Sequence, residues 1–138
     1  MTDSQRGTTG RVVRAGESYA GKQGLSYTPG VSAETVGAKV LWLGSVPVSV
    51  GGRTKAHVHE HHESAFSMVS GEEVELWTGD QLQHRDVAHP VEYLFIPAGV
   101  PHAAVNRSAT PALFVGARSD PNEQESAIMR PKLDERVP

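Results

Sequence analysis

The sequence contains no cysteine, so a disulfide framework, a thiolate nucleophile and a thiolate metal ligand are all excluded, which fits a reducing cytoplasm. It has no long apolar run either. Nothing in it approaches the length of a membrane span, and the polar stretch Met1 to Gly10 lacks the apolar segment of a signal peptide. The expectation is a soluble cytoplasmic chain with no membrane partner. Positive charge is not in excess: 13 basic residues against 16 acidic ones leave a formal net charge of −3, without the field that phosphate backbones need, so nucleic acid is not an expected partner. A sustained helical period is also missing, and helix is expected only at the two ends. Histidine is what the chain has in plenty, with seven in 138 residues. Four of them fall between His57 and His62.

The length suits one domain, able to bury roughly two-thirds of the surface its unfolded form exposes. Residues 1–37 are rich in Gly, Ser and Thr and read as a partly disordered start followed by an arm laid over the rest. From Ala38 the pattern changes. Val40-Leu41-Trp42-Leu43, then Val46, Val48 and Val50, alternate with small or polar residues as a half-buried strand does. Further strand-like runs follow at Lys55 to Glu60, Ala65 to Ser70, Glu73 to Trp77, Leu82 to Ala88, Val91 to Ile96, His102 to Asn106 and Ala112 to Ala117. Turns such as Ser70-Gly71, Thr78-Gly79-Asp80 and Pro97-Ala98-Gly99 separate them. Many short strands joined by Gly and Pro turns predict an all-β antiparallel sandwich or barrel over residues 38–118. Residues 119–138 read as a charged tail packing on it, and Asp120 to Glu125 are polar enough to cross its mouth or to remain solvated.

His57 and His59 stand two apart in a predicted strand, so both imidazoles point to one face, about 6–7 Å apart along the backbone. His102 begins another short strand, just after the stiff turn Pro97-Ala98-Gly99-Val100-Pro101 that sets where its imidazole points. Imidazoles on two strands suit one divalent transition metal, Fe, Mn, Ni, Cu or Zn, whereas Ca or Mg would call for oxygen ligands that this cluster does not supply. Read without a metal, the same histidines make a solvated strand edge. His61, His84 and His89 are read as exposed, Asn106 as a tie between strand and turn.

Two segments carry a family resemblance. Gly51-Gly52-Arg53-Thr54-Lys55-Ala56-His57-Val58-His59 resembles the first cupin motif, a glycine, five residues, then His-x-His. Pro97-Ala98-Gly99-Val100-Pro101-His102-Ala103-Ala104-Val105-Asn106 resembles the second, Pro-x-Gly, two residues, His, three residues, Asn. Both in this order are far more specific than either alone. The resemblance, to small single-domain cupins of the cupin-2 type, covers about Ala38 to Ala117. It implies a double-stranded β-helix (jelly-roll) barrel with a metal inside its mouth, a small-molecule ligand, and a homodimer formed by paired edge strands or exchanged arms, the segment Arg11 to Gly30 being the arm.

The chain departs from that pattern twice. The acidic ligand usual in the first motif is replaced by Ser64, with Glu63 one residue early. Strand alternation points Ser64, Phe66 and Met68 inward as cavity lining and lets His62 share that face, while Glu63 serves only if a bulge reorients it. The site is therefore His57, His59 and His102 alone, or these with His62, or these with Glu63, and His62 and Glu63 are also the catalytic candidates. In the second motif Val91 stands where glycine is usual. Loss of one negative charge leaves a more Lewis-acidic ion, which points to dioxygenase-like or carbonyl-polarising chemistry on a small oxygenated metabolite. A non-catalytic metal-dependent binding or sensing module, and an isomerase, epimerase or cyclase of the same superfamily, are the alternatives.

Overall fold

A computed structural model describes residues 9–124 and 126–138; for residues 1–8 the expected disordered start lies outside the described residues. The strands are β1 (Tyr19–Ala20), β2 (Ser26–Val31), β3 (Trp42–Val48), β4 (His57–Val58), β5 (Ser64–Ser70), β6 (Val74–Thr78), β7 (His84–Ala88), β8 (Tyr93–Ile96), β9 (His102–Val105), β10 (Ala112–Arg118) and β11 (Ile128–Met129). One helical turn, α1 (Ala33–Val36), and a 3-10 helix, Pro131–Arg136, lie near the two ends. The strands form two antiparallel sheets, ordered β1-β2-β3-β10-β5-β8 and β11-β4-β9-β6-β7. This is an all-β double-stranded β-helix. No helix among the described residues is long and apolar enough to cross a membrane.

Period-two alternation builds the core. Along β10 the inward residues are Ala112, Phe114, Gly116 and Arg118, and along β3 Trp42, Val46 and Val48 are buried while Leu43 and Pro47 are exposed. Trp42, Val46, Val48, Ala112 and Phe114 join Tyr27, Met68, Val74 and Ala88 in the main apolar cluster between the sheets, each large side chain contributing about 1.5–3 kcal/mol by leaving water. Part of the segment read as an arm enters the sheet itself: β2 pairs with β3, and β1 forms the edge beyond it. Ser32 caps α1 by accepting from the Thr35 amide at 3.0 Å, and Gly37, at φ 70°, closes it.

A second, smaller cluster joins Ala56, Leu82, Ala103, Val105 and Val137. Ala103 and Val105 alternate with the inward His102, so they lie on the outer face of the five-stranded sheet, and the C-terminal segment covers them. Polar contacts hold that cover in place. The Asp134 carboxylate accepts from the Ala56 amide at 2.6 Å, the Arg130 amide donates to the Ala56 carbonyl at 2.9 Å, and Arg53 donates to the Val137 carbonyl at 3.2 Å. Elsewhere on this sheet the Glu75 carboxylate accepts from Arg85 at 3.0 Å, the Trp77 indole at 3.0 Å and Arg107 at 3.2 Å. Burial alone would raise its pKa, but these donors outweigh burial and hold it down at about 2.

Candidate metal centre

His57 and His102 are direct cross-strand partners on β4 and β9, which places both imidazoles on one face. His59 follows two residues after His57 and keeps that parity. Its backbone carbonyl accepts from the Gly99 amide at 2.7 Å, so the turn preceding His102 is tied to the third histidine. Gly99, at φ 79°, adopts a left-handed conformation that this turn requires. The glycine pair of the first motif is fastened likewise: Gly51 donates to the Asn106 carbonyl and Asn106 donates to the Gly52 carbonyl, each at 2.9 Å. The Asn106 side chain donates to the carbonyls of Val48 and Thr110 and accepts from Ser108, the strand-to-turn tie expected of it.

The ligating atoms of His57, His59 and His102 all lie within 4.8 Å of one another, and the three side chains are buried. Ring centroids are 4.2 Å apart for His57 and His102, 4.9 Å for His57 and His59, and 5.2 Å for His59 and His102. Each Nδ1 meets a backbone carbonyl: His57 that of Lys55 at 2.6 Å, His102 that of Val100 at 2.9 Å, and His59 that of Ser126 at 3.1 Å. A carbonyl only accepts, so each Nδ1 carries a proton, and in the neutral form of the ring Nε2 is then the atom that can ligate a metal. Three imidazoles so oriented fit a divalent transition metal, because the carbonyl contact is the outer contact that fixes a ligating histidine.

The other sequence candidates are distributed around this triad. His62 is buried outside the group of mutually close ligand atoms, its ring 4.5 Å from that of His59 and its Nδ1 3.8 Å from Asp120. Glu63 is exposed, and its backbone pairs with Ser119 on both sides, amide to hydroxyl at 3.1 Å and carbonyl to amide at 3.2 Å. Alternation along β5 explains this: Ser64 points in, so its predecessor points out. Ser64 and Phe66 line the cavity beside the triad, whereas Met68 is wholly buried within the main cluster and is not part of the cavity wall. His61, His84 and His89 are exposed.

The cavity lies between the two sheets and has a volume of about 60 Å³. Its wall is mostly apolar, and also contains Gln23, Tyr27, Trp42 and Arg118, which sequence reasoning missed as site residues. A signal for Arg118 existed, since it shares parity with the buried Phe114. Gln23 and Tyr27, hydrogen-bonded to each other at 2.5 Å, come from the segment read as an arm. The run of residues 119–124 contacts Glu63 and His62 through Ser119 and Asp120, and Ser126 meets His59. The run is also held to α1. The Glu123 amide donates to the Glu34 carboxylate at 2.7 Å, and Ser32 donates to the Glu123 carboxylate at 3.3 Å. Burial, and then the adjoining Glu34, push the Glu123 pKa up.

The fold and both motifs converge on one family. The cupin domain model matches residues 45–116, more than half of the chain, and the chain belongs to the cupin family. No curated protein matches it. Among solved structures it resembles an uncharacterized protein with a double-stranded β-helix domain from Klebsiella pneumoniae, at TM-score 0.62 and 15% identity over 94% of this chain and 96% of that one. A recombinant oxalate oxidase in complex with glycolate matches at TM-score 0.65 and 19% identity, over 88% of this chain and 62% of that one. The DMSP lyase DddQ from Ruegeria pomeroyi matches at TM-score 0.55 and 20% identity, over 67% and 44%. At such identities these three share the fold.

Proposed function

We propose that His57, His59 and His102 hold one divalent transition metal ion, Fe, Mn, Ni, Cu or Zn, and that the protein is a metal-dependent enzyme acting on a small oxygenated metabolite. The observation that carries this reading is the convergence of the three buried histidines, whose ligand atoms lie within 4.8 Å of one another, each ring fixed by an Nδ1 contact to a backbone carbonyl. Such an ion supplies Lewis acidity towards a carbonyl or, when redox-active, electron exchange with dioxygen. The apolar wall excludes water from the ligand. Of the two catalytic candidates, His62 lies against the triad with Asp120 beside it and is the side chain placed to hold a proton there, whereas Glu63 faces solvent.

The test is metal content by mass spectrometry on protein purified from its host without chelator, read with oxygen uptake against a panel of enols, diketones and catechols. Near-stoichiometric metal is expected, and it should vanish from His57→Ala/His102→Ala with the far-ultraviolet spectrum unchanged. Glu63→Ala should leave metal affinity as it is, and His62→Ala should lower it by about 10-fold, the lower end for residues adjoining ligands. Metal retained in the double variant overturns the site. Stoichiometric metal with no turnover of any kind makes the protein a metal-dependent binding module instead.

A homodimer is part of the same proposal. The outward positions of β3, β10, β5 and β8 carry no charged side chain. On the edge strand β8, Tyr93 is 81% and Phe95 59% exposed. An uncharged apolar edge suits isologous pairing with a second copy. Sedimentation should show a dimer that Tyr93→Lys/Phe95→Glu dissociates; a monomeric wild type sinks the idea.

A further inference from the structure

One charged side chain stands in the cavity wall, Arg118 on β10. Its guanidinium carbon lies 4.3 Å from the centre of the Trp42 ring, and Nη2 donates to the Tyr19 hydroxyl at 3.3 Å and to the carbonyls of Asn122 and Glu123 at 2.5 and 2.9 Å. These contacts fix the cation over the indole face. Trp42 belongs to the same wall and is 1% exposed, yet its indole N–H has no acceptor among the described residues. An indole nitrogen can only donate, and leaving a buried donor without an acceptor is costly enough that native structures rarely do so. Both residues belong to the six-stranded sheet, and the histidine triad is carried by the five-stranded sheet across the cavity.

We propose that Trp42 and Arg118 are specificity-determining residues that recognise the carboxylate of a small organic acid, one carboxylate oxygen accepting from the Trp42 indole N–H beside the Arg118 charge. The positive charge selects an anion. A single N–H next to a single guanidinium matches a planar carboxylate, whereas a tetrahedral phosphate or sulfate would leave most of its acceptors facing apolar wall. A cavity of about 60 Å³ has room for about four to six waters, so the acid is short-chained. This narrows the small oxygenated metabolite of the preceding proposal to acids, and rests on that proposal only for what lies at the histidine end.

The experiment follows the indole N–H directly. The chain has two tryptophans, so a nitrogen-15-labelled sample shows two indole resonances, and Trp77→Phe identifies that of Trp42. Propionate and its neutral analogue propionamide are titrated into metal-free and zinc-loaded wild type at neutral pH. Propionate should move the Trp42 indole proton downfield in a saturable way. Propionamide should bind at least about 10-fold more weakly, as loss of a charge-assisted hydrogen bond implies, and Arg118→Met should abolish the preference. Because Arg118 also holds the tail carbonyls, the wild-type comparison of acid with amide decides the matter. A Trp42 resonance indifferent to propionate in both forms, or equally responsive to the amide, overturns the proposal. If zinc binds while Trp42 stays silent, the anchor fails and the metal site stands. If zinc does not bind while Trp42 responds, the reverse holds.

Discussion

Val91 has a φ of 67°, in the left-handed region where a β-branched residue is strained, and its amide is held there by a 2.8 Å bond to the Met68 carbonyl. The sequence flagged this position as one where cupins usually have glycine, and the backbone supplies the reason: the turn into β8 needs a positive φ whichever residue occupies it. Val91→Gly should therefore stabilise the fold by about 1 kcal/mol, a gain to be read from urea unfolding at constant slope. An unchanged or lower midpoint would show that the turn relaxes to suit valine. Ser64 is a second instructive residue. It occupies the inward position where the family's carboxylate is usual, and Glu63, one step away, is carried outward by the pleat. A one-residue offset in a strand is a change of face.

Among elements, the run of residues 119–124 depends on groups that repel. Glu123 has a raised pKa, from burial first and Glu34 second, so the folded state favours its protonated form. The stability it contributes is present at low pH and lost as pH rises through that raised value. Glu34→Gln keeps an oxygen for the Glu123 amide and removes the charge. It should raise the thermal midpoint at pH 7 by an amount worth a few tenths of a kcal/mol to about 1, since Glu34 is exposed. The gain should fade towards pH 4, and an equal gain at both pH values would mean that charge is not the cause. This segment also marks how far sequence reasoning reaches. Most strands from Trp42 to Arg118 were legible because Gly or Pro turns bound them, and β3 and β10 because they also alternate in polarity. The histidine triad was legible because His57 and His59 share parity and the turn before His102 is stiff. The Ser126 carbonyl on His59 was not, because a backbone oxygen has no signature in the sequence. Trp42 and Arg118 converge only through pairing of β3 with β10, two strands distant in the chain.

For the whole molecule, Glu75 sets the response to acid. Its pKa is held at about 2 against an ordinary value of 4.5, so the stability it contributes is present above about pH 4.5 and is lost as pH falls towards 2. That contribution is on the order of 2 kcal/mol, less than the full shift implies because Arg85 is half exposed. Glu75→Gln should be destabilised by that amount near pH 7, and the gap to wild type should close between pH 5 and pH 2. A gap independent of pH would make Glu75 a packing residue only. The C-terminal segment has a different reach. Asp134 and Arg130 grip Ala56, the residue before His57, and the Ser126 carbonyl orients His59, so docking of this segment and shaping of the triad are one equilibrium. Linkage then works in both directions. Occupancy of the triad should slow proteolysis and hydrogen exchange of the last dozen residues, and anything that lifts those residues, a fusion or a purification tag included, should loosen the ion some distance from where the tag was attached.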